Sequence, residues 1–155
     1  MRTTRLLACS LLLLAGSAWA DIWMADENAI HKLDATATQV ELSLVSTRPK
    51  TLAVDPRDGA IWILTEKRIA RRSRVGEVQF DIDLKTLGLE SADLLAVDPG
   101  DGSAWIGDGK GLGKGDGKHF LRLDAGGRAV GTLPSPGEPR ALSIALDGSI
   151  WILGK

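Results

Sequence analysis

Short apolar runs alternate along the chain with clusters of Asp, Pro and Gly. The clearest example is Thr51 to Leu64, TLAVDPRDGAIWIL, in which two apolar runs flank the polar cluster. Proline fixes φ near about −65° and Asp-Gly tolerates positive φ, so this segment predicts a β-hairpin with a tight turn. The pattern returns at Leu95 to Ile106, LAVDPGDGSAWI, and at Ala141 to Ile152, ALSIALDGSIWI, with a fragment at Asp21 to Met24.

The tryptophans that follow residue 20 mark the period of this repeat. Trp23, Trp62, Trp105 and Trp151 are 39, 43 and 46 residues apart. A period of about 40–45 residues with several short strands per unit is typical of propeller blades. We therefore predict that each tryptophan has the same place in successive blades and fills the space between neighbouring sheets.

Each unit contains two further strand-like runs after its tryptophan. A third strand, with a large apolar residue followed two places on by a base, is predicted at Ala29–Leu33, Arg68–Arg72 and His119–Leu123. A fourth is predicted at Val40–Val45, Val75–Ile82 and Ala129–Leu133. No stretch has a convincing helical period, since the helix-forming residues from Leu84 to Leu94 are interrupted by Gly88.

These repeats predict an all-β fold, a partial β-propeller of about three to three and a half blades of four antiparallel strands. The blades are assigned to residues 21–45, 50–86, 93–134 and, in part, 140–155. The first lacks its first strand and the last has two, whereas closed propellers have about four to eight blades. The residues that define the repeat are Trp23, Trp62, Trp105, Trp151, Asp55, Pro56, Gly59, Asp98, Pro99, Gly102 and Gly148.

The sequences LAVDP, DG and IW, followed by I-x-R, resemble the NHL-type repeat, whose blades read roughly apolar-V-D-x-x-G-x-[IV]-[WY]-V. The resemblance extends over residues 21–155 and implies a propeller similar to the six-bladed ones. Asp58 to Arg72 is also similar to repeats of the streptogramin B lyases, and Ala104 to Leu112 to repeats of periplasmic sensor propellers. Because these families differ in function, the resemblance implies a fold but no single activity.

Residues 1–20 have the pattern of a cleavable signal peptide. Two arginines precede an apolar stretch from Leu6 to Ala15, and the A-x-A sequence Ala18–Ala20 follows. The apolar stretch is shorter than the about 20 residues that cross a bilayer. A lipobox-like sequence before Cys9 is the alternative, but too few residues precede it for an apolar stretch. We predict a periplasmic or secreted protein that begins at Asp21.

The composition after cleavage excludes several partners. The single cysteine is lost with the leader, and 17 basic residues remain against 20 acidic ones, a net charge of −3. A slightly acidic chain of this kind predicts no nucleic acid and no anionic membrane surface as partner. One domain without an integral membrane segment is expected, and its partner is an unidentified protein or small molecule.

The glycine-rich stretch from Gly107 to Lys118, GDGKGLGKGDGK, is the most unusual local sequence. It lacks the spacing of a P-loop, and no βαβ unit surrounds it, so no nucleotide site is predicted. Asp101, Asp108 and Asp116 would be the carboxylates of a calcium site, but the closing Glu is missing. We interpret the stretch as a flexible loop inserted between the second and third strands of one blade.

The histidines and recurrent aspartates do not form a recognisable catalytic set. His31 and His119 start third strands without partners at metal-ligand spacing, so solvated strand positions are predicted. Turn geometry explains the aspartates that recur with the repeat, which are Asp55, Asp58, Asp98, Asp101 and Asp147. We therefore predict no catalytic, cofactor-binding or metal-binding residue, and no cofactor.

The remaining charged residues are assigned to the surface. The basic run from Lys67 to Arg74 is predicted to be a solvated edge, balanced by Asp81 and Asp83. In propellers, the loops from second to third strands share a face with the connections between blades, and that face is the expected binding surface. It would contain Glu27, Glu66, Arg48–Lys50 and Pro136–Pro139.

The main functional prediction is a non-enzymatic exported module that binds a partner, or a truncated remnant of a longer propeller. The alternatives are a metal-assisted lyase or lactone hydrolase of the propeller enzyme type, and a sensory input domain. An open arc of blades also predicts a homodimer, in which Ala141–Ala145 supplies the strand missing before Asp21 and completes a ring of about six blades. A truncated reading frame, with a partly unfolded product, is the alternative to this dimer.

Overall fold

The computed structural model describes residues 21–46, 48–107, 119–135 and 138–154. Over these ranges the chain forms antiparallel sheets in which strands that follow one another in sequence lie side by side. The predicted leader and most of the glycine-rich loop, residues 108–118, lie outside the described residues. Within the described ranges, no helix is long and apolar enough to cross a membrane.

The strands of the described residues are grouped in four sheets, here called sheets 1 to 4. Sheet 1 contains β1 (Ile22–Ala25), β2 (Ala29–Leu33) and β3 (Val40–Val45). Sheet 2 contains β4 (Pro49–Val54), β5 (Ile61–Thr65), β6 (Arg68–Arg72) and β7 (Val78–Asp83). Sheet 3 contains β8 (Leu94–Val97), β9 (Ala104–Gly107), β10 (His119–Leu123) and β11 (Ala129–Pro134). Sheet 4 contains β12 (Pro139–Ile144) and β13 (Ile150–Gly154).

The sheets are arranged as neighbouring blades. Their innermost strands are close to one another, since β8 lies beside both β4 and β12, and β1 lies beside β4. Each sheet is a meander whose later strands extend away from this inner row. The prediction of an all-β, partial β-propeller is therefore confirmed.

The repeated Asp-Gly sequences form the turns between first and second strands. In sheet 2, Asp55 N donates to Ala60 O at 2.8 Å, and Gly59 N donates to Asp55 O at 2.9 Å. Gly59 has φ of 71°, a value that glycine adopts without strain. Asp98 and Gly102 make the corresponding bonds in sheet 3. The same local sequence therefore produces the same hairpin in both blades.

The largest apolar core lies between sheets 2 and 3. Trp62 is fully buried there and makes an edge-to-face contact with Phe80, with ring centroids 5.2 Å apart. The buried members of the cluster are Trp62, Leu64, Ile69, Leu84, Ala92, Leu95, Ala104, Ile106, Leu121 and Leu123. Burying one tryptophan side chain contributes roughly 4–6 kcal/mol before conformational entropy is subtracted. A second cluster, between sheets 1 and 2, contains Ile30, Ile61 and Ile63 with Trp23, Leu44, Leu52 and Ala70.

The segment after β7 differs from the sequence prediction. Leu84–Leu87 forms a short 3₁₀ helix, where only irregular structure was expected. Asp83 caps it by accepting a hydrogen bond from Lys85 N at 2.9 Å, and Gly88 ends it with φ of 79°. Side-chain capping and a left-handed glycine stabilise a helix too short to show a period in the sequence.

Candidate interaction site

A buried ion pair joins the third strand of sheet 2 to the first turn. Arg71 Nη2 donates to Asp55 Oδ2 at 2.7 Å and to Asp58 Oδ2 at 2.8 Å. The guanidinium group lies over Trp62, 5.9 Å from the ring centroid. Because Asp55 and Arg71 are both buried, the charge-assisted hydrogen bonds and the cation–π contact fix the turn, the second strand and the third strand together.

Sheet 3 repeats this arrangement with its own residues. Arg122 lies over Trp105, 5.7 Å from the ring centroid. Its Nη2 lies 2.7 Å from Asp101 Oδ2 and 3.5 Å from Asp98 Oδ2, and its Nε donates to Ser103 Oγ at 3.0 Å. The recurrence in two blades identifies the cluster of Trp, Arg and two Asp as part of the repeat.

Asp21 has a related role between sheets 1 and 2. Its buried carboxylate accepts hydrogen bonds from Arg74 of sheet 2, with Nη2 2.9 Å from Oδ1. Lys32 Nζ lies 3.3 Å from Asp21 Oδ1 and 3.0 Å from Glu41 Oε2. The residue at the predicted start of the exported chain therefore links two neighbouring blades.

The prediction that the basic run from Lys67 to Arg74 is a solvated edge is wrong for Arg71, which is 4% exposed. Arg71 lies opposite Trp62 in the sheet and therefore shares the face that packs against sheet 3. Arg68 does pair with Asp81 at the surface, with Nε 2.7 Å from Oδ1. The sequence contained the signal for the buried pair, because the base and the aspartates recur in register with each tryptophan.

Two of the carboxyl groups in these clusters, those of Asp55 and Asp101, have a lowered pKa. Burial alone would raise the pKa of Asp55, but hydrogen bonds from Arg57 and Arg71 hold it below its ordinary value. In the same way, the hydrogen bonds that Asp101 accepts from Ser103 outweigh the effect of burial, and the pKa of Asp101 is also lowered. General acid–base catalysis needs a pKa near the working pH. At neutral pH these two aspartates are instead ionised acceptors that hold the turns.

The turns of sheets 2 and 3 are also in direct contact with each other. A Cβ atom added to Gly102 would overlap the guanidinium group of Arg57 and the carboxylate of Asp55. Arg57 Nη2 itself lies 3.0 Å from Asp55 Oδ2. The sequence predicted Gly102 from turn geometry, whereas the structure shows a second requirement, the close approach of the neighbouring blade.

His31 belongs to a polar network on the outer face of sheet 1. Its Nδ1 lies 2.9 Å from Ser43 Oγ, and its Nε2 lies 3.2 Å from Asp26 Oδ2. Although these residue types also occur in catalytic triads, β2 is the central strand of its sheet, and the ladders to β1 and β3 engage its backbone. A nucleophilic serine needs preorganised donors for an oxyanion. We interpret the network as a cross-strand polar cluster.

The other predicted candidates lie apart from one another. His119 is exposed at the start of β10, and the described ranges contain no group of three or more His, Cys, Asp or Glu side chains that could hold a metal ion. Pro56 and Pro99 lie in the first turns of sheets 2 and 3. Of the three calcium candidates, Asp108 and Asp116 are outside the described residues.

The loops assigned to the binding face do share one end of the sheets. Arg48 N donates to Glu27 O at 3.0 Å, which joins the connection between sheets 1 and 2 to the loop after β1. Leu84 N donates to Lys67 O at 2.8 Å in sheet 2. Of the residues assigned to this face, Pro136 and Gly137 lie outside the described residues.

The outer face of sheet 4 is the most distinctive apolar surface in the described chain. Trp151 is 67% exposed and Leu153 is 64% exposed. Ser143 and Ala141 lie opposite them on β12 and share this face. The aligned residues of sheet 2, Trp62 and Leu64, are fully buried by sheet 3, whereas no sheet of the described residues covers Trp151 in this way. We call this surface the Trp151 face.

The outer face of sheet 1 is apolar as well. Ile22 and Met24, which flank Trp23 on β1, are 38% and 48% exposed. The alternation of side chains places them on the side away from sheet 2, because Trp23 packs against the cluster between sheets 1 and 2. Leu33 and His31 lie opposite them on β2 and complete this surface, which we call the Met24 face.

Comparisons with known proteins identify the fold class. The sequence matches no protein-family model, and no curated protein is similar to it at a significant level. Among solved structures, Kuenenia stuttgartiensis hydrazine synthase is similar with a TM-score of 0.72 and 14% identity, over 89% of this chain and 40% of that one. BamB from Moraxella catarrhalis has a TM-score of 0.65 and 15% identity, over 87% of this chain and 38% of that one.

The WD40 domain of Neurospora crassa Pan2 is also similar, with a TM-score of 0.62 and 11% identity, over 81% of this chain and 38% of that one. The chain therefore spans about two fifths of the length of these three proteins. At such low identities the similarity shows the fold alone, which is that of a β-propeller repeat protein. The finer assignment to the NHL type stays a prediction from the sequence.

Proposed function

We propose that this chain is a non-catalytic, exported interaction module that binds a partner protein through the Trp151 face. The observation that carries the proposal is the contrast between Trp151, 67% exposed, and Trp62, which is buried at the same position of the repeat. The partner would present an apolar β-sheet face, because this is what covers the corresponding residues inside the molecule.

The composition of the Trp151 face supports a protein ligand. Tryptophan is enriched among the residues that dominate binding energy at protein interfaces, and contiguous exposed apolar patches mark interaction sites. The backbone of β13 is paired to β12 from Ile150 to Gly154, so the face is presented on a formed hairpin. A partner would therefore bind to a surface that is already organised.

The charged residues of the repeat support a structural rather than a catalytic role for the turn face. Asp55 and Arg71 are buried against each other, and Arg122 pairs with Asp101 and Asp98 in the next blade. Each of these groups already has a partner of opposite charge within the molecule. These ion pairs stabilise the blades, and we assign partner binding to other surfaces of the molecule.

Export of the module is proposed from the leader sequence. The basic residues, the apolar stretch and Ala18–Ala20 have the order that signal peptidase substrates require. Mass spectrometry of the protein recovered from the periplasm or medium is expected to show an N-terminal Asp21. A protein that keeps Met1, or carries lipid on Cys9, would contradict cleavage at this site.

Site-specific photo-crosslinking in the producing cell tests the interaction. A benzoylphenylalanine in place of Trp151 is expected to give an adduct whose partner-side residue, mapped by mass spectrometry, lies on an apolar sheet face. The matched control is the same substitution at Val78, which is 57% exposed on the outer strand of sheet 2. Equal adduct yields at the two positions would overturn the proposal.

A further inference from the structure

We infer that the partner of the Trp151 face is the Met24 face of a second copy of this chain. The inference rests on the proposed interaction function and names its partner. It follows from the way in which the sheets pack inside one molecule, where every junction between neighbouring blades uses the same two kinds of surface.

The internal junctions follow one rule. Trp23 of sheet 1 packs with Ile61 and Ile63, the two residues that flank the tryptophan of sheet 2. Trp62 of sheet 2 packs in a cluster with Ala104 and Ile106, which flank the tryptophan of sheet 3. We call the face that carries the repeat tryptophan the tryptophan side of a sheet, and the opposite face, which carries the two residues next to it, the flanking-residue side. A junction therefore joins the tryptophan side of one sheet to the flanking-residue side of the next.

Sheets 3 and 4 are consistent with the same rule. Trp105 is 8% exposed, and β12 packs beside β8. Ile150 and Ile152, which flank Trp151, are half-buried, whereas Trp151 itself points to the opposite, open side. The described chain thus contains three junctions of one type.

The two outer faces are the unmatched halves of a fourth junction. The Trp151 face is a tryptophan side without a flanking-residue side against it. The Met24 face is a flanking-residue side, since Ile22 and Met24 have the positions that Ile61 and Ile63 have in sheet 2. A second copy of the chain supplies the missing half to each of them, with the chemistry that already packs well in the interior.

The polar groups of the Met24 face do not oppose its burial. His31 lies within hydrogen-bond distance of both Ser43 and Asp26, so its ring nitrogens have partners on the face itself. Buried polar groups are tolerated when they are hydrogen-bonded. Ile22 and Met24 are apolar, and the Asp26 carboxylate, which is 59% exposed, also accepts hydrogen bonds from Asn28 N and Ala29 N, so a tryptophan can be covered beside Ile22 and Met24.

The contact joins different surfaces of the two chains, so a two-fold pair forms two identical junctions. Two copies of four sheets would then close a ring of eight, within the about four to eight blades of known closed propellers. Stacking of this kind keeps β12 paired with β13. It differs from the closure expected from the sequence, in which the C-terminal strand pair meets the N-terminal blade of the other copy and gives a ring of about six blades.

The experiment is light scattering coupled to gel filtration on the purified protein and four variants. The unmodified protein is expected to have twice the mass of one chain. Trp151→Glu and Met24→Lys are each expected to weaken dimerisation by roughly 30-fold or more, as loss of a central interface residue does. Val78→Lys, an exposed control outside both faces, is expected to leave the dimer unchanged. Leu153→Glu provides a second variant of the Trp151 face.

Mixing the two defective variants gives the most specific result. A chain with Trp151→Glu and one with Met24→Lys can form one unaltered junction and one in which Glu faces Lys, so their equimolar mixture is expected to regain the dimer mass. Thermal unfolding followed by circular dichroism checks that each variant is folded, which the exposure of both positions leads us to expect.

Four outcomes would overturn the inference: a monomeric unmodified protein, a filament instead of a dimer, a mixture that stays monomeric, or a Met24→Lys protein that still dimerises. The last would mean that two Trp151 faces contact each other. A monomer that nevertheless crosslinks from position 151 to a different protein would end this inference and leave the proposed interaction function standing. Failure of the crosslink at position 151 would instead end the proposed function.

Discussion

Arg71 and Asp55, sixteen residues apart in the chain, form a buried ion pair with Nη2 2.7 Å from Oδ2. The pair connects the third strand of sheet 2 with its first turn, and the Arg71 guanidinium group lies over the ring of Trp62. Arg122 makes the corresponding connection in sheet 3. Each complete blade is therefore held by an electrostatic contact as well as by its apolar faces.

Removing one partner of the buried pair should lower the free energy of unfolding. Arg71→Met is expected to destabilise the fold by about 3 kcal/mol, because Asp55 remains buried with Arg57 as its remaining cation. The matched change on the same strand is Arg68→Met, which removes an exposed pair with Asp81 and should cost about 0–1 kcal/mol. Urea unfolding of both variants measures the difference, and equal losses would contradict the assigned role of Arg71.

The burial contrast between aligned tryptophans gives a second prediction. Trp62→Ala is expected to destabilise the fold by about 3–5 kcal/mol, because it opens a cavity in the core between sheets 2 and 3. Trp151→Ala changes an exposed side chain and should alter the stability of the isolated chain by less than about 1 kcal/mol. Denaturation at low protein concentration tests this. A large loss at Trp151 would show that its face is covered within one molecule.

Stability should fall in acid because native carboxyl groups have lowered pKa values. Hydrogen bonds from Thr36 and from the backbone lower the pKa of Asp34 to about 2, and arginine contacts outweigh burial in lowering that of Asp55. In the unfolded chain the Asp pKa is about 3.9, so in acid the unfolded chain binds more protons than the native state. The stability that these carboxylates contribute is fully present above the pKa of the unfolded chain. It is lost as the pH falls through the lower pKa values of the folded protein.

The matching variant is Asp55→Asn, which removes one of these linked groups. It is expected to be less stable at neutral pH and to lose less stability between about pH 5 and pH 2 than the unmodified protein. Thermal melts across this range provide the measurement. An acid dependence as steep as that of the unmodified protein would mean that Asp55 does not contribute to it.

The turns before the last strands of sheets 1 and 2 predict a stabilising substitution. Ala37 has φ of 56° at the position that Gly76 occupies in the turn of sheet 2, with the same backbone hydrogen bond. A non-glycine residue in this region costs about 1–2 kcal/mol, so Ala37→Gly should stabilise the fold by up to about 1 kcal/mol after the added chain entropy is subtracted.

The reverse change at the aligned position should be unfavourable. Gly76→Ala would place a Cβ atom 2.8 Å from Leu44 Cδ2 and 3.0 Å from Leu42 Cδ2 of sheet 1. Strain and this contact together are expected to cost about 1–3 kcal/mol in a urea titration. If both substitutions shifted the midpoint in the same direction, the equivalence of the two turns would be wrong.

The sequence predicted the sheets well because the signals for them are local. The Asp-Gly turns at Gly59 and Gly102 require a particular backbone conformation, and alternating side chains identify the strands on either side. The fourth strand of sheet 2 was placed too early, from Val75, because the turn that ends at Gly76 has no Asp-Gly signal. The strand begins at Val78.

The parts that the sequence did not predict depend on contacts between distant segments. The Asp residues and the third-strand bases were both recognised as recurrent, but the pairing of Asp55 with Arg71 requires the register of three strands. Likewise, Trp62 and Trp151 have nearly the same local sequence, and only the presence or absence of a neighbouring sheet makes one buried and the other exposed.

Hydroxyl-radical footprinting tests the central claim most directly, because both Trp151 and Met24 are readily oxidised. The unmodified protein is labelled over a range of concentrations, and the oxidation rate of each side chain is read by mass spectrometry, with buried Trp62 and exposed Val78 as references. We predict that Trp151 and Met24 become protected together as concentration rises, while both references stay constant. Rates for Trp151 and Met24 that remain those of exposed side chains at every concentration would contradict the account.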